Sequence, residues 1–400
     1  MRLVVCVSFS NLKPQTSNQK INLRLSSIRL RNFRKHASSQ LDFANGVNIL
    51  VGNNGQGKTN VLEALSFLSL TKSFLSASDT LVCKHGEELF EVSGKMISDN
   101  GVEYNVRVAH QISTAEKVFT INKQNVEPRS SVIGKFPIVI LSPHHSAITF
   151  GSPSERRTFV DFVLCQSSRS YLDNLQTFRR ILKQRNAFLH DAKISRRPID
   201  DSIETWNEQF TEASATVMQK RNTFIQDFQA YVTNAYKEIV ESEEVPTLTY
   251  TPQIAIQHKS SLYEIEMLLQ EKMENEKQRE FASGTSVVGP HHDEIDFRLN
   301  GFELRKFASQ GQHKTFLVAL KIAEFHYLKN ACNETPMFLL DDVFSELDEQ
   351  RAQKVLDLVR KHGQTFVTTT NSNALDGILS YGKENRKFTI DDGKVLSGNL

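Results

Sequence analysis

The chain has 400 residues, of which 39% are apolar, and a formal net charge of +2. A chain of this length exceeds the usual size of one hydrophobic core, so we expect two lobes. No apolar run approaches the roughly 20 residues of a membrane-spanning helix, and the first ten residues hold too short an apolar stretch for a convincing signal peptide. The four cysteines are far apart and match no zinc-ligand spacing, which favours reduced thiols in a cytoplasmic protein.

Charge is distributed unevenly along the chain. Residues 151–197 contain ten Lys/Arg and four Asp/Glu, whereas residues 198–280 contain seven Lys/Arg and sixteen Asp/Glu. The first of these segments could face an anionic polymer, while the strong negative charge of the second disfavours such a contact.

Residues 1–21 are expected to form a mobile N-terminal extension, or to follow from a start codon placed too early, because residues 11–18 are polar and turn-like. Apolar residues then predict a strand at about 23–30. A group of cations decorates it: Arg29, Arg31, Arg34 and Lys35. They could contact nucleotide or nucleic-acid phosphate, or they could form a solvated strand face.

A phosphate-binding loop is the most specific motif of the chain. Residues 52–59 match G-x-x-x-x-G-K-[ST], follow an apolar strand-like run and precede a helical pattern. Glycines allow the backbone to aim several N–H groups at one anion, and the helix adds the positive end of its dipole. Lys58 is predicted to reach the β- and γ-phosphates of ATP, and the Thr59 hydroxyl is predicted to bind Mg²⁺. The predicted nucleotide contacts are Gly52, Asn53, Asn54, Gly55, Gln56, Gly57, Lys58 and Thr59.

Short alternating stretches after this loop predict an antiparallel sheet at about 89–97, 104–108 and 118–121. A continuous apolar run at 138–141 predicts a buried strand. We therefore assign residues 22–150 to the N-terminal part of one lobe.

Residues 151–282 are predicted to form a mainly helical second lobe. Ser152, Pro153 and Glu155 mark a helix start. The longest helical pattern, 201–241, is too short for an extended coiled-coil arm, and a charged helix follows at about 261–280. The basic residues of this lobe are candidate DNA contacts, although a basic helix face is more often a solvated surface. These candidates are Arg156, Arg157, Arg179, Arg180 and Arg185.

Residues 283–400 return to alternating strands and helices. Asn300 and Gly301 predict a type I′ turn between strands at 295–299 and 302–307. Ser309, Gln310, Gly311 and Gln312 open a helix, a buried strand ends at Asp341 and Asp342, and further elements are predicted at 348–362 and 365–370. A last hairpin turns at residues 392–393.

Two acids at the end of a buried strand can complete a nucleotide site. Asp341 is placed to hold Mg²⁺ opposite Thr59, and Asp342 could polarise the attacking water. The alternative is that both acids are exposed turn residues. Ser309 and the N–H groups of residues 310–312 form a second predicted anion site. That second site is explained if it caps the γ-phosphate held by another subunit.

These motifs resemble those of ABC-type ATPases: Walker A at 52–59, the signature motif at 309–312, Walker B at 338–342 and the D-loop at 345–348. The resemblance sharpens to the RecF family of bacterial DNA replication and repair proteins and covers about residues 22–400. It is carried in addition by the stretches 28–34, 151–157, 184–186 and 289–291.

The resemblance implies an α/β fold, with an ABC-type ATPase head (a P-loop sheet with helices plus an antiparallel β-subdomain) and a mainly helical second lobe. It implies ATP and Mg²⁺ as cofactors, an ATP-dependent homodimer and ATP hydrolysis involving Asp342, Lys58 and Ser309. The side chain of Asp342 is one methylene shorter than the glutamate usual in ABC ATPases, which predicts slow hydrolysis. It further implies binding to single-stranded and gapped DNA. With RecO and RecR as partners, such a protein would help load recombinase in repair and replication restart and would support the SOS response.

Three features depart from the expected pattern, and the first is the extension 1–21, which has no counterpart in the family. His144 stands where the family commonly has an acid, and residues 368–370 offer threonine where many transporter ATPases have a switch histidine. Two alternative functions stay open at this point. One is a chromosome-structuring ATPase related to SMC proteins, which is disfavoured because the longest helical pattern, 201–241, is too short for an arm. The other is the nucleotide-binding subunit of a transporter, which is disfavoured by the long helical insert, 151–282, and by the RecF-like motifs.

Overall fold

Three β-sheets and the helices around them organise the part of the chain that the structure describes. The computed structural model describes residues 22–76, 78–195, 203–240, 243–257, 260–345, 349–371 and 379–396. The predicted N-terminal extension, 1–21, lies outside the described residues. None of the described helices is long and apolar enough to cross a membrane.

The strands are β1 (Arg24–Phe33), β2 (His36–Asp42), β3 (Val47–Val51), β4 (Leu89–Ile97), β5 (Glu103–Gln111), β6 (Glu116–Ile121), β7 (Gln124–Asn125), β8 (Ile138–Leu141), β9 (Pro246–Thr251), β10 (Glu294–Leu299), β11 (Phe302–Glu303), β12 (Met337–Asp341), β13 (Thr365–Thr369), β14 (Arg386–Asp391) and β15 (Lys394–Leu396). The helices are α1 (Lys58–Leu70), α2 (Ala147–Phe150), α3 (Pro153–Ser167), α4 (Arg169–Ser195), α5 (Glu204–Ile239), α6 (Leu262–Ser283), α7 (Leu304–Phe307), α8 (Gln310–Cys332) and α9 (Glu349–His362).

The central sheet has the order β15-β14-β3-β13-β12-β8, and its strands are parallel except for the pair β14–β15. Strands β8, β12 and β13 are buried along their whole length, because helices and the second sheet cover both faces. The register pairs Asp341 with Thr368, and Thr369 with Val51. The carboxyl ends of β3, β12 and β13 therefore meet at one edge of the sheet.

The second sheet is antiparallel, as predicted, with the order β2-β1-β4-β5-β6-β7. One of its faces packs on α1 through buried apolar residues. Phe33, Phe67 and Phe90 form mutual edge-to-face contacts with ring centroids 5.5 Å apart. This packing fixes the helix that begins at the phosphate loop.

The third sheet, β11-β10-β9, joins the predicted helical segment to the C-terminal segment. Strand β9 lies within residues 151–282 and pairs with β10, which lies beyond that boundary. The predicted strand at 302–307 is wrong after Glu303, because residues 304–307 form the helical turn α7. Leu304 is buried, whereas Phe302 and Phe307 are exposed. The apolar residues of this stretch therefore do not alternate between two faces as they would in a strand.

The long helix α5 confirms the predicted helical pattern. It packs against α4, α6, α8 and β9 and does not extend as an arm. Its buried side chains form part of one apolar cluster with residues of α3, α4, α8 and the central sheet. The helical segment therefore shares a core with the central sheet.

The prediction of DNA contacts is wrong for two of the five arginines, because these two are buried and form ion pairs inside the protein. Arg185 is 1% exposed. It donates to both carboxylate oxygens of Glu280, to Ser286 Oγ at 2.7 Å and to Asn207 Oδ1 at 3.0 Å. Arg156 is 6% exposed and donates to Glu294 Oε1 at 3.0 and 2.9 Å. Neither guanidinium can face a polymer at the surface.

The other three arginines are more accessible. Arg157 is half-buried and donates to the carbonyl oxygen of Asp293 at 2.7 Å. Arg179 and Arg180 are exposed on α4. Arg179 also lies 3.3 Å from Asp161, a carboxylate already paired with the buried Arg221. Part of the positive charge of residues 151–197 is therefore buried in ion pairs and is not available at the surface.

Arg185→Ala should destabilise the fold by about 3–5 kcal/mol, because it leaves the buried carboxylate of Glu280 without its partner. The matched control is Arg180→Ala on the same helix, which should change the free energy of unfolding by less than about 0.5 kcal/mol. Urea unfolding of both variants measures the difference. Equal, small effects for the two variants would contradict the buried ion pair.

Candidate functional site

The loop at residues 52–59 connects β3 to α1 at the edge where the parallel strands end. Gly55 and Gly57 have φ angles of 75° and 104°, which only glycine adopts without strain. A Cβ at Gly52 would lie 2.2 Å from the carbonyl oxygen of Ile390. The three glycines of the motif are thus each required by the backbone geometry or by a close contact.

Lys58 lies inside the curve of this loop. Its Nζ donates to the carbonyl oxygens of Gly52 at 2.7 Å and Asn53 at 2.8 Å, and the residue is 6% exposed. Burial lowers the pKa of Lys58, and the nearby carboxylates of Asp342 and Asp341 act in the opposite direction. The ammonium group is therefore held by the loop itself, where it can meet a phosphate.

Asp341 closes the opposite side of the site. Its Oδ1 accepts hydrogen bonds from Thr59 Oγ1 at 2.6 Å and from Thr368 Oγ1 at 2.7 Å. The predicted pairing of Thr59 with Asp341 is thus present in the geometry, although the two residues are 282 positions apart. A hydroxyl and a carboxylate are oxygen ligands of the kind that Mg²⁺ prefers, so the residues present fit this ion.

Asp342 has a different orientation from its neighbour. Its φ angle is 50°, and its N–H donates to Thr368 Oγ1 at 2.9 Å. Aspartate tolerates this left-handed conformation better than most residues. Asp342 lines a cavity together with Lys58 and Thr59, while Asp341 is turned toward the two threonine hydroxyls. The two adjacent acids can therefore serve different purposes.

The cavity beside the loop has a volume of about 420 Å³, within the range of small-molecule sites. Of the four cations predicted near it, Arg34 and Lys35 line it, whereas Arg29 and Arg31 do not. Arg34 donates to the buried carboxylate of Glu63 through Nε at 2.8 Å and Nη2 at 2.7 Å. Glu63 lies on α1, so this ion pair joins the cationic strand end to the helix that follows the loop.

The buried His36 contacts the end of the phosphate loop, and the sequence analysis did not identify it. His36 Nε2 lies 3.0 Å from the carbonyl oxygen of Gly57, and its Nδ1 lies 2.9 Å from Ser39 Oγ. Ser39 Oγ donates to the carbonyl oxygen of Gly393 at 2.9 Å. Burial lowers the pKa of His36, and the hydrogen bond to the backbone of Gly57 acts in the opposite direction.

The final hairpin completes this support. Gly393 N–H donates to the carbonyl oxygen of Gln56 at 2.9 Å, and Asp392 N–H donates to Gln56 Oε1 at 2.6 Å. A Cβ at Gly393 would lie 2.3 Å from the carbonyl oxygen of Lys35. The sequence analysis predicted the turn at 392–393 but not its contact with the phosphate loop. The two segments are more than 300 residues apart, and no local sequence pattern indicates that they meet.

The second predicted anion site lies at the start of α8, outside the cavity beside Lys58. Ser309 caps the helix: its Oγ accepts from Gln312 N–H at 3.2 Å, and its own N–H donates to Gln312 Oε1 at 2.8 Å. The Gln312 side chain also donates to Glu244 at 2.6 Å. Part of the predicted D-loop, residues 346–348, lies outside the described residues.

His144, the residue that departs from the family pattern, is exposed and lines another cavity. That cavity lies between the end of α1 and α3 and also contains Lys321. His144 is not among the residues around Lys58, so its position lends no support to a contact near the predicted Mg²⁺ site.

Comparison with known proteins identifies the family. A family model described as the RecF/RecN/SMC N terminal domain matches residues 24–381. The DNA replication and repair protein RecF of Chloroherpeton thalassium is 40% identical over 351 residues, which are 87% of this chain and 95% of the relative. The RecF protein of Prosthecochloris aestuarii is 38% identical over 88% of this chain and 95% of its own. The chain belongs to the RecF family.

Solved structures confirm the fold. The recombination mediator proteins RecF-ATPrS and RecF-ATP of the RecFOR pathway both have a TM-score of 0.87, with 28% and 27% identity. They cover 94% and 96% of this chain and 98% and 100% of their own chains. An Smc head domain from Pyrococcus yayanosii shares the fold, with a TM-score of 0.50 and 12% identity, and covers 94% of this chain and 97% of its own. The predicted ABC-type ATPase head is thereby confirmed.

Proposed function

We propose that this RecF-family chain is an ATP-dependent DNA-binding protein of recombinational repair and replication restart. The observation that carries the proposal is the hydrogen bond from Thr59, which lines the cavity beside Lys58, to the buried Asp341. This contact joins the phosphate loop, in the N-terminal part of the sequence, to the acidic end of β12, in the C-terminal part. Membership of the RecF family supplies the biological context.

In this proposal, residues 52–59 bind the phosphates of ATP, and Thr59 and Asp341 hold Mg²⁺. The bound ion would neutralise phosphate charge during hydrolysis. Lys58 reaches the β- and γ-phosphates from its place inside the loop, and Arg34 and Lys35 add positive charge at the rim of the cavity. Relatives with solved structures described as RecF-ATP support the choice of ATP.

Asp342 is proposed to orient the attacking water and to accept its proton. It lines the same cavity as Lys58, and its backbone is held by Thr368. An aspartate side chain is one methylene shorter than the glutamate usual in ABC ATPases, so its reach to the water is poorer. We therefore propose slow hydrolysis, which suits a timed switch better than a motor.

An ATP-dependent homodimer is proposed to complete each site. Ser309 and the first N–H groups of α8 form an anion-binding helix start that does not line the cavity around Lys58. A second copy could bring these groups to the γ-phosphate. Each copy would then contribute Lys58 to one site and Ser309 to the other.

The proposed DNA substrates are single-stranded and gapped DNA, and the proposed protein partners are RecO and RecR. Relatives in the RecFOR pathway are the basis for the partners. Support for a role in recombinase loading and in the SOS response comes from the family alone. The exposed Arg179 and Arg180 remain candidate DNA contacts in the helical segment.

Two variants separate ATP binding from ATP hydrolysis. Lys58→Ala should weaken ATP binding, because it removes a cation that contacts the phosphates. Asp342→Asn should bind ATP normally but lose about 100-fold or more in turnover, because it removes the proposed base. Calorimetry measures binding and phosphate release measures turnover. Hydrolysis at the wild-type rate by Asp342→Asn would show that the water is activated elsewhere.

Ser309→Arg should block dimer formation with Mg-ATP while leaving ATP binding by the monomer intact, because it places a bulky cation in the interface. Sedimentation velocity with and without ATP tests this. Ser261→Arg is the matched control, since Ser261 caps α6 through the same reciprocal hydrogen-bonding pattern. The control should still dimerise. A wild type that stays monomeric, or a Ser309→Arg protein that dimerises, would contradict the composite site.

DNA binding should be strongest on gapped DNA and in the presence of ATP. Binding to gapped, single-stranded and blunt duplex DNA, with and without ATP and at several salt concentrations, measures this preference. Arg179→Ala with Arg180→Ala should reduce the slope of log affinity against log salt by about 1 for each lost phosphate contact. An unchanged affinity and slope would assign this helix face to solvent or to a protein partner.

A further inference from the structure

His36 and Ser39 connect the phosphate loop to the last hairpin through a chain of three hydrogen-bond contacts. His36 Nε2 lies 3.0 Å from the carbonyl oxygen of Gly57, and His36 Nδ1 lies 2.9 Å from Ser39 Oγ. Ser39 Oγ in turn lies 2.9 Å from the carbonyl oxygen of Gly393. We call these contacts the His36 bridge. Both of its ends are backbone carbonyl oxygens, which accept hydrogen bonds and cannot donate them.

The number of protons in the His36 bridge depends on the charge of the imidazole. Three hydrogen bonds between two acceptor ends require three protons. The Ser39 hydroxyl supplies one, and a neutral imidazole supplies one more, whichever ring nitrogen carries it. An imidazolium supplies two. The bridge is therefore complete only when His36 is positively charged.

A neutral His36 would leave two lone pairs facing each other across one contact. With the proton on Nδ1, the bare Nε2 would face the carbonyl oxygen of Gly57. With the proton on Nε2, the Ser39 hydroxyl could serve either Nδ1 or the carbonyl oxygen of Gly393, but not both. His36 is 0% exposed and Ser39 is 6% exposed. Because a buried polar atom without a hydrogen-bond partner is destabilising, the geometry favours the charged ring.

The bridge holds the loop by its carbonyl groups. His36 contacts the carbonyl oxygen of Gly57, and Gly393 N–H donates to the carbonyl oxygen of Gln56 at 2.9 Å. A trans peptide unit is planar, and its N–H points away from its C=O. Fixing these two carbonyl groups therefore aims the N–H groups of Gly57 and Lys58 to the other side. They lie at the start of α1, where N–H groups have no partner within the helix and can bind an anion.

The charges around the ring act in both directions. Burial lowers the pKa of His36, and the backbone of Gly57 and of Gly393 raises it. The ammonium group of Lys84, in the loop before β4, lowers it again. The other charges that the structure describes on the neighbouring elements are paired or exposed: Arg34 pairs with Glu63, Lys35 with Asp392 and Lys58 with the loop carbonyl oxygens, and Lys394 is exposed. Added negative charge near the loop would therefore strengthen the hold of His36 on its second proton.

We propose that His36 positions the phosphate loop as an imidazolium, and that the chain takes up a proton at His36 when it binds Mg-ATP. This inference rests on the ATP binding proposed above and adds a regulation of the same site. A triphosphate bound by residues 52–59 supplies negative charge on the far side of the peptide that His36 holds. That charge favours the imidazolium, and by linkage the imidazolium favours the triphosphate to the same extent. Both ring nitrogens are used by the bridge, so His36 acts through the loop and does not contact the phosphates.

Proton uptake makes ATP affinity depend on pH in a defined direction. The pKa of His36 is higher in the ATP complex than in the free protein, where it lies below the ordinary value of 6.5. ATP affinity should therefore be greatest below the pKa of the free protein and should fall as the pH rises through the pKa of the complex. Between these two values the affinity should fall by up to about tenfold per pH unit, which corresponds to uptake of one proton.

His36→Gln tests the proposal, because its amide can still donate to the carbonyl oxygen of Gly57 but carries no charge. Calorimetric titration with Mg-ATP from about pH 5 to about pH 8 covers the range in which histidine titrates. Repeating it in buffers of different ionisation enthalpy gives the number of protons taken up. The wild type should take up more protons than the variant. The two affinities should differ most at low pH and converge at high pH, where His36 is neutral as well.

A purely structural role of His36 would instead lower the affinity by the same factor at every pH. Proton exchange by Mg-ATP itself is common to both proteins and cancels in the difference. His36→Asn provides a second neutral amide, so the test does not depend on the folding of a single variant. It should lose the proton uptake in the same way.

His110→Gln is the matched control. His110 is a buried histidine of the same antiparallel sheet, and its ring lies against Phe90 with the centroids 5.6 Å apart. It takes no part in the His36 bridge. This variant should keep the proton uptake and the pH dependence of the wild type.

Failure of this inference can be distinguished from failure of the proposed function. If the wild type binds Mg-ATP but takes up no more protons than His36→Gln and His36→Asn at any pH, the inference is overturned and ATP binding stands. Equal loss of proton uptake in His110→Gln would assign the uptake to the sheet as a whole and would also overturn it. If the wild type binds no Mg-ATP at any pH, the proposed nucleotide site fails together with the inference.

Discussion

The carboxylate of Asp341 is the point on which the nucleotide site depends. It accepts hydrogen bonds from Thr59, at the start of α1, and from Thr368, near the end of β13. Asp341 itself ends β12, so one side chain ties together the helix after the phosphate loop and two neighbouring strands. Thr368 also accepts the N–H of Asp342 and so sets the direction of the second acid. The metal-binding and water-activating positions are thus built by one small hydrogen-bond network.

The phosphate loop is held from two further directions. His36 and Ser39, on β2, connect its end at Gly57 to the last hairpin through Gly393. Arg34, at the turn between β1 and β2, is fixed by Glu63 on α1. Residues from the beginning, middle and end of the chain therefore converge on one loop. A loop whose backbone depends on glycines with positive φ angles needs such external support to keep its N–H groups aimed inward.

The helical segment is organised by buried charge as well as by apolar packing. Asp161 on α3 accepts from Arg221 on α5 at 3.0 and 3.1 Å and from the Tyr171 hydroxyl on α4 at 2.5 Å. Arg185 and Glu280 join α4 to α6 in the same way. Such pairs add directional contacts between helices whose apolar faces alone would permit several packings; specificity of this kind is a known, though not universal, role of buried ion pairs. Their presence explains why the basic count of this segment overstated its exposed positive charge.

Local pattern in the sequence was enough to predict the phosphate loop, its flanking strand and helix, the turn at Asn300 and the capped start of α8, because each is decided by residues within a few positions of one another. The acids at 341 and 342 were also found, since a buried strand ending in two carboxylates is a short, local signal. Arg180 and Arg185 show the limit: both are cations on one helix, yet only Arg185 meets a carboxylate 95 positions later, and that contact makes it internal. The support of the loop by His36 and Gly393 was likewise decided by the tertiary structure. Burial and ion pairing depend on which distant segments are brought together, and the periodicity of a single segment contains no information about its partner.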